Sequence, residues 1–286
     1  MITLTRGGFT LAIAPEIGGA VTRFELDGKP VMRPVPQGAT NPLDCCVFPL
    51  VPYANRIEHG VLKFEGREYR LPLNFGDHPH ALHGHGWQAS WRVEAVSKDR
   101  AVVAFDHAPD AWAWAYTAEE EFALTDEGLR LRLTARSRDE KPMPISLGLH
   151  PYFPRLPGSR LTARTNGMWL SDPTELPTEL GAPRIDLANG VVISKAPFVD
   201  NCFPGWHPPA RIEQPELGLE LALSASAECP FFHVFIPTGA DYFCAEPTTA
   251  MPNAFNRPEP AAVTGARVLA PGASLSIELV LTARKL

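Results

Sequence analysis

The stretch GLRLRLTARS, from Gly128 to Ser137, decides the fold class of this 286-residue chain. Its three leucines and Ala135 alternate with arginine and threonine, so an apolar side chain stands at every second position. Successive side chains of a β-strand point to opposite faces, and the stretch therefore predicts a strand with one buried face. The same period recurs in ELGLELALS (216–224) and in SLSIELVLT (274–282).

Pairs of turn-forming residues separate such runs, as expected for strands that reverse direction between neighbours. These pairs are Asp27–Gly28, Glu65–Gly66, Lys98–Asp99, Glu127–Gly128 and Pro271–Gly272. No stretch carries a long apolar pattern with the 3.6-residue period of a helix. We predict an all-β fold with many antiparallel strands, built as a large sandwich or barrel.

One segment, DAWAWAYTAEEEFAL (110–124), is ambiguous between helix and strand. Its alanines and glutamates favour a helix. Its aromatic residues Trp112, Trp114 and Tyr116 alternate, however, and a helix would scatter them around its surface. We predict a strand here.

Composition limits the kind of protein and its partners. With 45% apolar and 20% charged residues, the chain fits a single globular domain over residues 1–286. A net charge of -6 without any Lys/Arg-rich run argues against a nucleic-acid or membrane partner. The N-terminal residues alternate like a strand, and the five cysteines contain no C-x-x-C spacing. We therefore expect a cytoplasmic protein with reduced thiols.

The stretch HPHALHGHGW, from His78 to Trp87, holds four of the nine histidines. Their spacing in pairs two residues apart is one that metal sites in β-proteins use. Proline and glycine within the stretch are typical of a loop instead, and the sequence points to no further ligands. A metal site and a polar loop both remain open on this evidence, and the loop is favoured.

Two other groups stand at the ends of apolar strands, where a reactive side chain can be held among apolar neighbours. His150 follows PISLGL and precedes Pro151, which ends regular strand pairing. Glu246 follows the apolar run YFCA and precedes a proline in the same way. Removal from water would raise the pKa of such a carboxyl toward neutrality, as a general base requires.

Hydrogen-bonding residues recur in two further loops. Asn55 and Arg56, in FPLVPYANRIEHG, could donate several hydrogen bonds to a polyhydroxylated ligand, or serve as a turn asparagine and a surface arginine. Asp200, in FVDNCF, could accept from ligand hydroxyls or form an Asx-turn with its own backbone.

These residues occur in an order that resembles the aldose 1-epimerase (galactose mutarotase) family. The resemblance runs through PYANRI (52–57), LHGHGW (82–87), LGLHPYF (147–153), VDNCF (199–203) and AEPTTAMPNAFN (245–256). It implies a large antiparallel β-sandwich with a sugar cleft on the concave face of one sheet. It also implies an isomerase of hexose metabolism that interconverts the α and β anomers of a free aldose, without a metal or other cofactor.

Position by position, the resemblance implies catalytic roles for two residues. Glu246 would be the base, acting as a carboxylate on the C1 hydroxyl, and His150 would be the acid, acting as an imidazolium on the ring oxygen. The VDNCF form leaves the choice of sugar open, and the short chain suggests trimmed loops around the cleft.

The same resemblance implies binding roles for four more residues. His83 would contact the sugar near its ring oxygen. Arg56, with Asn55 beside it, would bind sugar hydroxyls, and Asp200 would accept from ring hydroxyls. Trp87, Tyr152 and Phe255 could each stack on the sugar ring. Each could equally be a core residue, and the sequence leaves this open.

Three alternatives remain at this point. A hexose-6-phosphate epimerase would need a cationic pocket, for which Arg155, Arg160, Arg164 and Arg257 are available. A non-catalytic carbohydrate-binding protein would not need both Glu246 and His150. A metal-dependent hydrolase or isomerase would use the histidine stretch. We expect a small sugar as the only partner, and a monomer or weak homodimer.

Overall fold

The alternating runs become strands in the computed structural model, which describes residues 1–286. The strands, in chain order, are β1 Ile2–Arg6, β2 Phe9–Ala14, β3 Ala20–Leu26, β4 Lys29–Pro30, β5 Pro49–Leu50, β6 Arg56–Ile57, β7 Val61–Phe64, β8 Arg67–Arg70, β9 Ala81–Leu82, β10 Arg92–Val96, β11 Arg100–His107, β12 Tyr116–Leu124, β13 Gly128–Ser137, β14 Met143–Ile145, β15 Gly148–Leu149, β16 Tyr152–Pro154, β17 Arg160–Arg164, β18 Met168–Ser171, β19 Pro177–Gly181, β20 Val191–Val192, β21 Val199–Pro204, β22 His207–Gln214, β23 Leu219–Ala225, β24 Phe231–Ile236, β25 Tyr242–Thr248, β26 Arg267–Leu269 and β27 Ser274–Lys285.

Helix is confined to short pieces. The one α-helix, α1, spans Ala261–Thr264. Single 3₁₀ turns lie at Pro42–Asp44, Glu58–Gly60, Gly86–Gln88, Ile193–Lys195, Pro215–Leu217 and Ala254–Asn256. No helix is long and apolar enough to cross a lipid bilayer. The predicted all-β antiparallel class is confirmed.

The largest sheet has nine strands in the order β10-β11-β12-β13-β27-β23-β22-β17-β20. The three runs with the clearest alternation, in β13, β27 and β23, lie side by side at its centre. Leu131 stands opposite Leu279 and Leu133 opposite Ile277, and all four are buried. Their apolar faces thus form one continuous surface on a single side of the sheet.

A six-stranded sheet covers that surface, with the order β21-β24-β25-β15-β5 and β16 paired to β25. In β24, Phe232, Val234 and Ile236 are buried in the same apolar cluster as the leucines of β13 and β27. Side chains alternate between the faces of a strand, so His233 and Phe235 point to the other side. The sheet therefore has one face in the core and one face that carries polar side chains.

The ambiguous segment is a strand only in its second half. β12 begins at Tyr116, and its buried and exposed residues alternate to Leu124 as predicted. The prediction is wrong for residues 110–115, which are not in a strand. There the Asp110 carboxylate accepts the Trp112 backbone N–H at 2.8 Å, and Trp112 and Trp114 pack against each other in the core. Indole burial, and not strand pairing, accounts for their alternation.

One inward position of β12 carries a carboxyl group. Glu120 is 1% exposed, its Oε2 lies close to Gly19 beside the indole of Trp91, and this oxygen has no hydrogen-bond partner. Burial raises the pKa of the Glu120 carboxyl well above its ordinary value. The group is therefore held in its protonated form inside the fold.

Replacing Glu120 by glutamine should stabilise the protein, and the gain should grow with pH. The raised pKa means that the unfolded chain loses this proton first as pH rises. Wild-type stability then falls, by up to about 1.4 kcal/mol per pH unit between the two pKa values. Urea unfolding of both proteins at about pH 5 and about pH 7 measures the gain.

Glu119→Gln is the matched control, because Glu119 is the exposed neighbour in the same strand. Its effect on the free energy of unfolding should be the same at both pH values. A Glu120→Gln effect that is equally independent of pH would show that the buried carboxyl does not titrate as described.

Candidate active site

A cleft of about 170 Å³ opens on the polar face of the six-stranded sheet. It is lined by all six residues singled out in the sequence: Asn55, Arg56, His83, His150, Asp200 and Glu246. The other lining residues are Leu43, Phe75, Leu82, Tyr152, His233, Phe235 and Tyr242. Residues far apart in sequence are thus brought to one site.

Strand register explains how three of these side chains meet. His233 in β24 lies directly opposite Glu246 in β25 and opposite Cys202 in β21. Asp200 is two residues before Cys202 and so shares its face of the sheet. His233 and Glu246 therefore share one row of cross-strand pairs, and Asp200, which pairs with Phe235, stands diagonally across from His233 on the same face.

His150 reaches the cleft from the break between β15 and β16. Its backbone N–H donates to the Phe48 carbonyl at 3.1 Å. Its imidazole packs against the rings of Phe48 and Tyr152, whose centroids are each 4.7 Å from it and 6.0 Å from one another. The two rings lie at 25° and 20° to the imidazole and so fix its plane, and the nitrogen atoms available for chemistry lie on its edges.

One of those edges faces Glu246. His150 Nε2 lies 3.3 Å from Glu246 Oε1, and the two side chains are 8% and 1% exposed. Burial raises the pKa of the Glu246 carboxyl well above its ordinary value, and the nearby charge of Asp200 raises it further. Burial lowers the pKa of His150 to about 3, with His233 and Arg33 acting in the same direction.

Besides the N–H that a neutral imidazole always keeps, the pair therefore holds one titratable proton over a wide range of pH. Burial favours the uncharged form, with the proton on Glu246, because each isolated charge is costly to remove from water. The carboxylate–imidazolium form expected from the sequence is not the one favoured by this environment. Transfer of a proton between Glu246 and His150 interconverts the two forms without changing their total charge.

A buried ion pair organises the opposite wall of the cleft. Arg56 Nη2 donates to Asp200 Oδ2 at 2.8 Å, and Nη1 donates to Asp200 Oδ1 at 3.2 Å. Burial opposes ionisation of Asp200, but the Arg56 charge and the His233 hydrogen bond outweigh it and lower the pKa of this carboxyl. Asp200 is thus a fixed carboxylate.

Hydrogen bonds close a ring around this ion pair. Arg56 Nη1 donates to Asn55 Oδ1 at 3.0 Å, which turns the Asn55 amide N–H toward His233 Nδ1 at 3.3 Å. His233 Nε2 then donates to Asp200 Oδ1 at 2.7 Å. Arginine has only donors and a carboxylate only acceptors, so the direction of every bond in the ring is fixed.

The terminal nitrogens of Arg56 have no uncommitted N–H. Asn55, Asp200 and Glu175 take all four, and the Glu175 contact is the longest at 3.4 Å. Arg56 Nε faces His78 Nε2 at 3.4 Å, but that nitrogen carries a proton, since His78 Nδ1 already accepts from the His80 backbone. A ligand hydroxyl that binds the terminal nitrogens of Arg56 would therefore have to displace a partner within the protein.

His83 presents one hydrogen-bond donor to the cleft. Its Nδ1 accepts the Asn55 backbone N–H at 3.1 Å, while its own backbone N–H donates to the Asn55 carbonyl. Burial lowers the pKa of His83 well below its ordinary value, so the ring is neutral with its proton on Nε2. Gly84 follows because a Cβ there would lie 2.3 Å from the Val51 carbonyl oxygen.

The other three histidines of that stretch have separate partners outside the cleft. His78 contacts Glu175, His80 contacts Thr174, and His85 contacts the Tyr116 hydroxyl. The stretch is thus a loop with hydrogen-bonded imidazoles, as favoured above, and its histidines do not converge on one point.

A different trio comes closer to a metal-binding arrangement. One donor atom each from His150, Cys244 and Glu246 lie within 4.8 Å of one another. Burial raises the pKa of the Cys244 thiol well above its ordinary value, and Glu246 adds to the effect. A metal needs the thiolate, so this environment opposes metal binding through sulfur.

Sequence reasoning missed His233, and it left open which aromatic residues line the cleft. His233 is a single polar residue in the apolar run FFHVF, and only the register of β24 shows that it faces the cleft. Tyr152 lines the cleft, but His150 covers one of its ring faces. Neither Trp87 nor Phe255 lines the cleft; the exposed ring candidates are Phe75, Phe235 and Tyr242.

The arginines considered for a phosphate pocket lie elsewhere. None of Arg155, Arg160, Arg164 and Arg257 lines the cleft. Arg155 donates to the Pro237 carbonyl, Arg160 to the Asn189 and Gly190 carbonyls, and Arg257 pairs with Glu259. The cleft contains one arginine, Arg56, which is already paired.

Comparison with known proteins places this geometry in a family. The sequence model described as Aldose 1-epimerase matches residues 1–282. An Escherichia coli K12 relative, described as uncharacterized protein YphB, is 31% identical over 294 aligned positions, which cover 98% of this chain and 97% of that protein.

Two solved structures share the fold across nearly their whole length. A candidate aldose 1-epimerase from Escherichia coli K12 has a TM-score of 0.90 at 31% identity and covers 99% of this chain and 98% of its own. A galactose mutarotase-like protein from Clostridium acetobutylicum has a TM-score of 0.89 at 23% identity, with 99% and 95% covered. Since the family match includes every residue of the cleft, the chain belongs to the aldose 1-epimerase family.

Proposed function

We propose that this protein is an aldose 1-epimerase, an isomerase that interconverts the α and β anomers of a free aldose. The observation that carries the proposal is the buried pair of His150 Nε2 and Glu246 Oε1, 3.3 Å apart at the cleft. An acid and a base held this close, and shielded from water, can deliver a proton to one of the two oxygens bonded to the anomeric carbon and remove a proton from the other.

The reaction needs one proton taken up and one proton delivered in each half. Glu246 removes the proton from the C1 hydroxyl while His150 delivers a proton to the ring oxygen, and the C1–O5 bond breaks to give the open aldehyde. The C1–C2 bond rotates, and reversed transfers then close the ring on the other face. Each positioned acid or base contributes on the order of 10²–10⁴-fold.

These two transfers leave the number of protons on the pair unchanged, because the pair carries one titratable proton before and after ring opening. Before the reaction, transfer from Glu246 to His150 produces the carboxylate and the imidazolium. After ring opening, His150 has given its proton to O5 and Glu246 has gained one from O1, so the total is unchanged. Hydroxyl groups of a bound sugar would offset part of the cost of separating the charges.

Other groups at the cleft hold the ring near the pair. The His83 Nε2–H suits an acceptor oxygen, and the Asp200 carboxylate suits a hydroxyl that donates. Arg56 and Asn55 act chiefly by fixing Asp200 and His233, since their polar atoms are largely used within the protein. Such positioning matters because proton transfer requires heavy atoms about 3 Å apart.

Glu246→Gln should abolish most of the catalysis. Glutamine keeps the shape of the side chain but cannot accept the C1 proton, so kcat should fall by about 10²-fold or more. Polarimetry of freshly dissolved α-glucose and α-galactose, corrected for the uncatalysed rate, measures the loss. Glu175→Gln is the matched control and should retain kcat within about threefold, since Glu175 touches Arg56 only from outside the cleft.

Full activity in Glu246→Gln would keep the epimerase proposal but assign the base elsewhere. A wild-type protein that accelerates none of several aldoses, yet binds them, would favour a carbohydrate-binding role instead.

The pH profile of kcat/KM should have a broad maximum through neutral pH. The active one-proton form is lost as pH falls through the His150 pKa of about 3, because the pair then gains a second proton. It is lost as pH rises through the raised pKa of Glu246. Initial rates across pH, with far-UV circular dichroism to confirm folding, test both limbs. An acid limb near the ordinary histidine pKa of about 6.5 would contradict the described environment.

Glucose should be a better substrate than glucose 6-phosphate, by at least about tenfold in kcat/KM. A phosphate dianion in this cleft would meet Asp200, and the terminal N–H groups of Arg56 are already committed within the protein. Side-by-side NMR exchange measurements on both sugars give the ratio. A preference for the phosphorylated sugar would show that an arginine outside the cleft moves in to bind it.

A further inference from the structure

Arg33 is a buried cation close to the proposed acid and base. It follows β4, is 8% exposed, and forms no ion pair with a carboxylate. Its Nη2 donates to the carbonyls of Leu43 and Cys45, the latter at 2.7 Å, and its Nε has no partner. Burying a charge without a counter-ion is costly, so Arg33 lowers the free energy of unfolding.

The guanidinium packs on an aromatic ring that also contacts His150. Arg33 Cζ is 3.9 Å from the centroid of the Tyr152 ring and 4.7 Å from that of Tyr242. The His150 imidazole is 4.7 Å from the Tyr152 centroid and nearly parallel to it, at 20°. Arg33 and His150 thus both pack against the Tyr152 ring, and Phe48 packs against His150 with its centroid 6.0 Å from that of Tyr152.

Such an arrangement fixes the plane of the imidazole. A cation on an aromatic face is attracted by the ring quadrupole, and the attraction is stronger away from water. Tyr152 is thereby held against His150, which also packs against Phe48. The same guanidinium ties down the Leu43 and Cys45 carbonyls, and Leu43 lines the cleft.

We propose that Arg33 is a positioning residue of the epimerase site: through Tyr152 it holds the His150 imidazole in line with Glu246, and through two carbonyls it holds the Leu43 wall of the cleft. Arg33 does not line the cleft and so does not act by binding sugar. The inference rests on the proposed function, since it assigns how the acid is held.

The charge of Arg33 supplies a second, separable effect. The titratable and charged groups that surround His150 are Glu246 and Cys244 of β25, Asp200 of β21, His233 of β24, His83 and Tyr152. Arg33 adds a positive charge behind Tyr152, which disfavours a second proton on the pair. Loss of that charge would let the pair accept the second proton at higher pH.

Arg33→Met and Arg33→Lys separate the two effects. Methionine removes both the charge and the planar group, whereas lysine keeps the charge but not the fork or the stacking. For Arg33→Met we expect kcat to fall about ten- to a hundredfold, with KM within about twofold, and the acid limb to move to higher pH. For Arg33→Lys we expect a lower kcat with the acid limb near its wild-type position.

Arg155→Met is the matched control, since it removes another arginine that donates to a backbone carbonyl but does not line the cleft or stack on Tyr152. Its kcat and its acid limb should stay at the wild-type values. Thermal unfolding of all variants separates a lowered stability from a change in the site.

A readout that does not depend on activity is the NMR titration of the His150 ring, assigned by its loss in His150→Gln. A raised His150 pKa in Arg33→Met, but not in Arg155→Met, would support the inference even in a protein without epimerase activity. Wild-type inactivity would overturn the proposed function alone. An active wild type, with Arg33→Met unchanged in kcat, pH profile and His150 titration, would overturn the role of Arg33. If Arg33→Met fails to fold, a wild-type kcat in Arg33→Lys would do the same.

Discussion

The polar wall of the cleft depends on the buried pair of Arg56 and Asp200. A carboxylate this far from water is tolerated only because the guanidinium binds it at both oxygens, and removal of either partner would leave an uncompensated charge. Asn55 and His233 complete the ring and add rigidity. The ring exists because β21 and β24 pair in a register that presents Asp200 and His233 on one face.

Burial disfavours charge on both sides of the cleft, but the outcome differs. At Asp200 it is outweighed by Arg56, and the charge persists. At His150 and Glu246 no such cation is in contact, and burial favours the uncharged pair. One side of the cleft thus has a permanent charge suited to holding a ligand, and the other has a mobile proton suited to chemistry.

Local patterns predicted the fold class because alternation reflects burial on one face of a sheet, as in β13 and β27. The six candidate residues were found partly from their setting at strand ends and partly from a family resemblance. His233 was missed because a histidine within an apolar strand is indistinguishable from a core residue until the register is known. The misplaced start of β12 has a similar cause: buried tryptophans in a turn alternate like those of a strand. The protonation of Glu246 and the stack at Arg33 depend on packing between distant segments, which sequence alone does not supply.

The one-way ring of hydrogen bonds has a consequence for orientation. Asp200 offers only lone pairs, whereas the neutral ring of His83 offers only an N–H. The ring oxygen of a closed sugar is an acceptor without a hydrogen. It would accept a hydrogen bond from His83 Nε2–H but would be repelled by the Asp200 carboxylate. A hydroxyl fits either place. In the proposed function, the two edges of a pyranose would therefore differ in polarity at this cleft, and a sugar bound back to front would lose the hydrogen bond to its ring oxygen.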